Sequence, residues 1–446
     1  MRFPVKTTLL LVSAASVAMA QTRPMSDSVM ALNRAGKWEQ AGQLASASLR
    51  SAPNVEERCA LFIGGLYASA RMLQFANGPG QLKSFDDMCA NTMVAKQYAR
   101  DIEQIRRDFD LPPMPSGGID WSAVDQFWMA VDTLSRDIEP SPAQWHAMLT
   151  TPGYRIAMIS HPTIAHLIEI ALKPSRRAER DSVLRRSSED SATVSHLMTV
   201  VAARAELARY RAALEPVVPD TIAIAVKNAS RFLSAGAVDH PPPLVTFTVF
   251  TSDGYAQAPG IVIDLQHARE NGLTDFLSHE LHHEFGSRLD RTIGGSTPDG
   301  RLYGVIRQLK NEGIADMLDK AQHPLVTPPS MKVYADGYNA AYDRTPAALK
   351  VLDSLLAGAG TDSAKLVAAG TRAARLLPYG SHPNGAFMAH TILDVFGRDS
   401  LVATVPSAFA FIRMYEAAEA KRGNPPVFSA ASLATLSAME TRHLKP

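Results

Sequence analysis

The feature that most constrains this chain is a segment of helical pattern, residues 274–286, that contains His279-Glu280-Leu281-His282-His283. On an α-helix, residues four positions apart lie on one face, one turn above the other. The imidazoles of His279 and His283 can therefore reach a single metal ion, to which zinc–nitrogen bonds of about 2.0–2.1 Å would form. Any fold for this chain has to leave that helix face open to an ion and to a further ligand.

Glu280 follows the first histidine and points toward the same pocket without binding the metal. A carboxylate in this position can take a proton from zinc-bound water, which makes Glu280 the candidate general base. The alternative interpretation is a structural histidine pair beside a surface carboxylate. His282 is rotated by about 100° from His283, so we expect a solvated or packing role for it.

The third ligand must come from elsewhere, because catalytic zinc usually has three protein ligands and one open position. The best candidate is Glu312, on a second predicted helix at roughly residues 303–321, and Glu284 and Asp316 are alternatives. Asp316 lies one turn after Glu312 and can accept the free N–H of a ligand histidine. Gly313 costs about 1 kcal/mol relative to Ala inside a helix. Its presence predicts close packing of two helices around the metal.

The remaining pattern predicts an α+β protein that is predominantly helical. Residues 21–215 show apolar residues at three- and four-residue spacings, as helices do. After Pro216 the hydrophobic pattern is no longer purely helical. Residues 244–250 and 260–265 are predicted to form two short strands before the histidine helix. Thr274 is the expected N-cap of that helix. We therefore predict a helical N-terminal region at 21–215 and a second domain at 216–446.

Charge and hydropathy exclude some classes of partner. The net charge of +1, from 45 basic and 44 acidic residues, gives no case for nucleic acid or an anionic membrane surface. Residues 1–20 combine basic residues, a short apolar stretch and Ala18-Met19-Ala20, as a secretory signal peptide does. No later segment is long and apolar enough to span a membrane. We expect an exported chain, periplasmic or extracellular, in which Cys59 and Cys89 favour a disulfide over two buried thiols.

The order His279-Glu280-x-x-His283 and then Asn311-Glu312-Gly313-x-Ala315-Asp316 resembles the gluzincin metallopeptidases, which include the thermolysin-like enzymes. It is most similar to uncharacterised families described only as zinc-dependent peptidases, over roughly residues 229–395. The resemblance implies a zincin-like catalytic domain within residues 216–446, with Glu312 as the third zinc ligand and Asp316 orienting a zinc histidine. It also implies one Zn²⁺ per chain and a peptide or protein substrate.

The sequence departs from the gluzincin pattern in two places. Twenty-eight residues separate His283 from Glu312, more than in thermolysin. The Gly-x-Met-Glu-Asn element with which aminopeptidases of this group hold a substrate amine is missing, which argues against an aminopeptidase. The family pattern further suggests a substrate strand antiparallel to an edge strand above the zinc helix, and residues 260–265 are the expected edge.

A donor for the transition-state oxyanion should lie opposite the metal. The polar, glycine-rich segment 377–385 contains the two best candidates, Tyr379 and His382, and Tyr338 and Tyr342 are further candidates.

Two other functions remain compatible with these residues. One is an exported helical binding protein with a structural or vestigial zinc site, which would bind zinc without cleaving peptides. The other is a zinc hydrolase of non-peptide amides or esters, because the motif determines water activation but not the acyl group.

Overall fold

The computed structural model describes residues 24–35, 37–71, 78–111, 113–161, 163–250, 252–257, 259–290, 297–327 and 331–444. The predicted signal peptide, residues 1–20, lies outside the described residues. Contacts within the chain form two compact units, residues 1–112 and residues 113–446. In the ranges given above, no helix is both long enough and apolar enough to cross a membrane.

The regular elements that the structure describes in the first unit are all helices. A disulfide joins Cys59 to Cys89, with Cα atoms 5.7 Å apart, and so ties α3 to the end of α4. Small and branched apolar side chains of α1, α2 and α3 form its buried cluster. The helices are α1 (Met25–Arg34), α2 (Trp38–Ser48), α3 (Val55–Arg71), α4 (Gly78–Cys89), α5 (Met93–Gln97) and α6 (Ala99–Asp108).

The second unit combines one small sheet with many helices, which confirms the predicted α+β, predominantly helical class. The strands are β1 (Ile119–Asp120), β2 (Leu244–Thr248), β3 (Gly254–Gln257) and β4 (Gly260–Asp264). The helices before the sheet's main strands are α7 (Ser122–Leu134), α8 (Pro142–Leu149), α9 (Pro152–Ser160), α10 (Ile164–Leu172), α11 (Arg177–Leu184), α12 (Glu189–Ala202), α13 (Arg204–Leu214) and α14 (Val218–Ala229). Those after them are α15 (Leu265–Asn271), α16 (Leu273–Leu289), α17 (Gly300–Asp319), α18 (Lys332–Asp343), α19 (Thr345–Ala359), α20 (Ser363–Leu376), α21 (His382–Phe396), α22 (Arg398–Val402), α23 (Ala408–Lys421) and α24 (Ala430–His443).

The sheet has the order β1-β2-β4-β3, with β1, β2 and β4 parallel and β3 antiparallel to β4. The expected edge at residues 260–265 is therefore wrong, because β4 is paired on both sides. The outer strand next to β4 is β3, which sequence analysis did not predict. It has four residues and no β-branched side chain, so its sequence lacks the usual strand signal.

The two compact units do not divide at the predicted boundary of 215–216. β1 pairs with β2 in register Ile119↔Val245, and α7 and α9 pack against β2. Residues 113–215 thus complete the sheet and belong with the second unit. A two-residue strand carries too little periodicity for this pairing to be visible in the sequence.

α16 is buried on most of its circumference, because α14, α17 and β3 all pack against it. It begins after Gly272, whose φ of 80° favours glycine, so the predicted N-cap Thr274 lies inside the helix. A helix enclosed in this way has few solvated positions, so the buried polar side chains on it need partners from neighbouring elements.

Candidate metal centre

Three side chains on two helices bring their metal-binding atoms together. The Nε2 atoms of His279 and His283, both on α16, lie 2.9 Å apart. Oε2 of Glu312, on α17, lies 3.5 Å from His279 Nε2 and 3.1 Å from His283 Nε2. The three predicted ligands are therefore adjacent in the structure and form one group of possible metal donors.

The donor set fits zinc. Bonds of about 2.0–2.1 Å in a tetrahedral site place neighbouring ligand atoms roughly 3.3 Å apart, close to the observed separations. Two neutral nitrogens and one carboxylate oxygen leave a fourth position for solvent or substrate. Glu284, the alternative ligand on α16, instead pairs with Arg288 at 2.9 Å.

A carboxylate lies behind His279, as expected, but the residue differs from the predicted one. His279 Nδ1 lies 3.0 Å from Asp319 Oδ1 and 3.5 Å from Asp316 Oδ1, and only the first is a hydrogen bond. Sequence analysis missed Asp319. The signal was present, because Asp319 lies seven residues after Glu312 and so on the same face of α17.

The side chain of Glu280 extends from α16 toward the edge strand β3. Its Oε2 accepts a hydrogen bond of 2.6 Å from the backbone N–H of Ala256 in β3, and the residue is 7% exposed. Burial raises the pKa of Glu280 above the usual value for glutamate, against the opposing effect of His279 and His283. A raised pKa suits a carboxylate that has to accept and release a proton near neutral pH.

His382, a predicted oxyanion donor, reaches the same pocket from the first turn of α21. Its Nε2 lies 3.2 Å from Glu312 Oε2, and its Nδ1 lies 2.9 Å from Asp316 Oδ1. The imidazole also stacks on that of His279, with centroids 5.5 Å apart. His382 is therefore adjacent both to a candidate ligand and to a buried aspartate.

Two local features bring His382 there. α21 crosses α17 where two glycines meet, and a Cβ on Gly313 would lie 2.4 Å from the carbonyl carbon of Gly385. The close packing predicted from Gly313 is thus present, although its partner is α21. The turn before α21 is left-handed at Tyr379, Gly380 and Ser381, with φ of 53°, 61° and 74°. Such conformations at non-glycine residues persist where surrounding structure enforces them, often at functional sites.

The candidate tyrosines lie in different surroundings. Tyr379 is 40% exposed, packs edge-on against Tyr334, and rests its hydroxyl where a Cβ on Gly337 would clash at 1.9 Å. Those contacts direct the Tyr379 side chain toward α18.

The two further candidate tyrosines contact other side chains. Tyr338 is buried and donates to Asp316 Oδ2 at 2.9 Å. The hydroxyl of Tyr342 instead pairs with His390 Nδ1.

His282 is a packing residue and is not solvated. It is 3% exposed, and its Nε2 lies 3.3 Å from the carbonyl oxygen of Phe232. Burial lowers the pKa of His282 to about 3, so its imidazole stays neutral. It faces away from the candidate ligands, as its rotation from His283 requires.

The pocket favours positive charge. Burial is the largest single effect on His279 and disfavours a charged imidazole, yet the Asp319 and Glu312 carboxylates together raise the pKa of His279. Burial likewise opposes ionisation of Glu312, but the His283 and His279 imidazoles keep the pKa of Glu312 well below its usual range. A field that stabilises cationic imidazoles also favours a divalent cation.

The comparisons with known proteins are consistent with this geometry. Residues 145–423 match a protein family described as "Putative zinc dependent peptidase (DUF5700)". The matched residues include every candidate ligand, Glu280, Asp316, Asp319 and His382. No curated protein and no solved structure matches the chain.

Proposed function

This chain belongs to the family described as "Putative zinc dependent peptidase (DUF5700)", and we propose that it hydrolyses peptide bonds at one zinc ion held by His279, His283 and Glu312. The observation that carries the proposal is the convergence of their three donor atoms, 2.9–3.5 Å from one another. Two imidazoles and one carboxylate with an open fourth position are typical of catalytic rather than structural zinc. When bound, zinc polarises the scissile carbonyl and lowers the pKa of a water ligand to about 7.

Glu280 acts as the general base and then as the general acid. It takes a proton from the attacking water and delivers that proton to the leaving amine. Its burial and its position next to His279 support this role. The hydrogen bond from Ala256 to Glu280 Oε2 holds one oxygen against β3, which leaves the other oxygen for the proton transfer.

His382 is the proposed donor to the oxyanion. Its Nε2 lies on the Glu312 side of the pocket, and Asp316 holds its Nδ1. Donation from Nε2 requires the imidazolium form, which carries a proton on both nitrogens. The Asp316 carboxylate at Nδ1 favours that form and fixes the direction of the Nε2–H, as oxyanion stabilisation requires. We assign no contact with substrate to Tyr379, whose hydroxyl is directed at α18.

The substrate would bind in extended form along β3. The side of β3 away from β4 is an edge, and Ala256 directs its N–H toward Glu280 on that side. A peptide added there would place its backbone beside the general base, with main-chain hydrogen bonds supplying the affinity.

We further propose that the mature protein acts outside the cytoplasm. The N-terminal twenty residues have the composition of a signal peptide. The Cys59–Cys89 disulfide supports an oxidising compartment, where such bridges persist.

The experiment that tests the function uses Glu280→Gln with Glu284→Gln as its matched control, since both residues lie on α16. Glu280→Gln should keep its zinc and lose on the order of 10²–10⁴-fold in hydrolysis of a broad peptide library. Glu284→Gln should stay close to wild type. His279→Ala and Glu312→Ala should lose zinc in metal analysis.

Three outcomes would contradict the proposal. An active, zinc-loaded Glu280→Gln variant would remove the mechanism. Stoichiometric zinc without cleavage of any peptide by the wild type would favour a binding protein with a structural metal. Cleavage confined to non-peptide amides or esters would change the substrate class.

A further inference from the structure

Two aspartates on α17 face the candidate centre, and each forms a hydrogen bond to a different histidine. Asp319 Oδ1 lies 3.0 Å from Nδ1 of His279. Asp316 Oδ1 lies 2.9 Å from Nδ1 of His382, and its 3.5 Å separation from His279 is not a hydrogen bond. The spacing of three residues on one helix face places the two carboxylates side by side.

We propose that these aspartates divide the work of orientation: Asp319 fixes the zinc ligand His279, and Asp316 fixes the substrate-facing His382. This inference rests on the proposed function. A carboxylate at Nδ1 of His279 keeps the proton on that nitrogen and leaves the Nε2 lone pair for the metal. The contact of Asp316 with Nδ1 of His382 instead orients that ring so that its Nε2–H faces the pocket. Asp316 and Asp319 are positioning residues, because they act through the histidines.

The contacts of the two carboxylates support the division. Asp316 is fully buried, and Tyr338 donates to its Oδ2 at 2.9 Å, so its orientation toward His382 is fixed. Lys320 Nζ lies 3.0 Å from Asp316 Oδ1 and also contacts Asp319 Oδ2. A cation between two adjacent carboxylates offsets their repulsion, so both can remain ionised at this spacing.

The first test measures zinc affinity, which does not depend on activity. Asp319→Asn should raise the zinc Kd about 10- to 100-fold in competition with a chromophoric chelator, because it removes the partner of a ligand histidine. Asp316→Asn should keep the Kd within about threefold of wild type. Equal weakening by both substitutions, or no weakening by Asp319→Asn, would overturn the division.

The second test measures turnover at saturating zinc. At saturating zinc, Asp316→Asn should lower kcat at least about tenfold with little change in KM, and the loss of kcat in Asp319→Asn should be smaller than that in Asp316→Asn. Adding Asp316→Asn to His382→Ala should cause no further loss, because the aspartate acts through that ring. A multiplicative loss in the double variant would show that Asp316 acts elsewhere.

The third test keeps the inference separable from peptidase activity. In zinc-loaded protein with ¹⁵N-labelled histidine, two Nδ1–H resonances should show carboxylate bonding. Asp319→Asn should shift only that of His279, and Asp316→Asn only that of His382. If the wild type binds zinc but cleaves nothing, the proposed function fails while these shifts still decide the inference. Shifts of both resonances in each variant would indicate a shared network and overturn it.

Discussion

The two compact units differ in the kind of group they bury. In the described part of residues 1–112, the buried polar side chains are Ser26, Asn33, Ser69 and Thr92, none of them ionisable. Residues 113–446 bury histidines, acids and a lysine, several of them at the candidate metal centre. Burying a charge is costly unless it is paired or binds a metal. The contrast indicates that the first unit is held by packing and a disulfide, whereas the second unit also holds buried charge, both at the candidate metal centre and away from it.

Asp264 offers the hardest test of that contrast, because it is a buried charge outside the metal centre. Its Oδ1 accepts from the backbone N–H groups of Gln266 and His267, and its Oδ2 accepts from Phe250 N–H and contacts His196 Nε2 at 3.0 Å. Asp264→Ala leaves these donors without an acceptor. We expect a loss of about 3–5 kcal/mol in the free energy of unfolding, measured in urea.

Asp132→Ala is the control for Asp264→Ala, since Asp132 is a half-exposed partner of Arg204 and should cost less than about 1 kcal/mol. Similar small losses from both substitutions would mean that buried charge in the second unit serves the site alone.

Removing the disulfide tests the other side of the contrast. The Cys59→Ser/Cys89→Ser variant opens a loop closed over a separation of 30 residues, and chain entropy predicts a loss of about 3–4 kcal/mol. We expect the loss in the unfolding transition of the first unit, with the zinc Kd unchanged. Loss of zinc binding in the folded variant would show that the metal centre depends on the first unit.

Gly313→Ala tests the helix crossing that brings α21 to the centre. The added Cβ would lie 2.4 Å from the backbone of Gly385, so we expect a loss of about 1–3 kcal/mol and weaker zinc binding. Gly304→Ala is the matched control on the same helix, because nothing lies within 4 Å of its Cβ position. That control should gain up to about 1 kcal/mol.

Equal effects of Gly313→Ala and Gly304→Ala would contradict the assignment of Gly313 to close packing. Both changes would be read from urea unfolding curves, and zinc affinity from chelator competition.

The residues on helix faces were predictable from sequence, and the contacts between elements were not. Four-residue spacing on α16 was sufficient to bring His279 and His283 together, and the class of fold followed from periodicity. The division of roles between Asp316 and Asp319 was not predictable, because it depends on where α21 places His382. That placement follows from the contact between Gly313 on α17 and Gly385 on α21. Nothing in the sequence around Gly385 indicates that it packs against Gly313.

The sheet shows the same limit. β2 and β4 were predicted from their β-branched residues, but which strand is the edge depends on the short β3 folding outside β4. Likewise, the rotation of about 100° between successive helix residues was enough to separate His282 from the ligand face. Its burial against Phe232 depended on a neighbouring segment. Local periodicity determines which face a residue occupies, and tertiary packing determines what that face meets.

His282 gives the smallest expected effect and separates a buried packing histidine from the ligand histidines beside it. Its pKa is about 3 in the folded state because of burial, against about 6.5 in an unfolded chain. Below pH 6.5 the unfolded state binds a proton that the folded state does not, so stability falls as the pH falls from 6.5 toward 3. Linkage predicts a loss of about 1.4 kcal/mol in the free energy of unfolding between pH 8 and pH 5.5.

The His282→Gln variant tests this prediction. It should lack this loss, because glutamine does not titrate, while its amide can still donate to the Phe232 carbonyl. Urea unfolding of both proteins, with a chelator present to remove the effect of metal binding, measures the difference. An identical pH dependence in the two proteins would mean that His282 becomes protonated in the folded state, and that its burial does not keep it neutral.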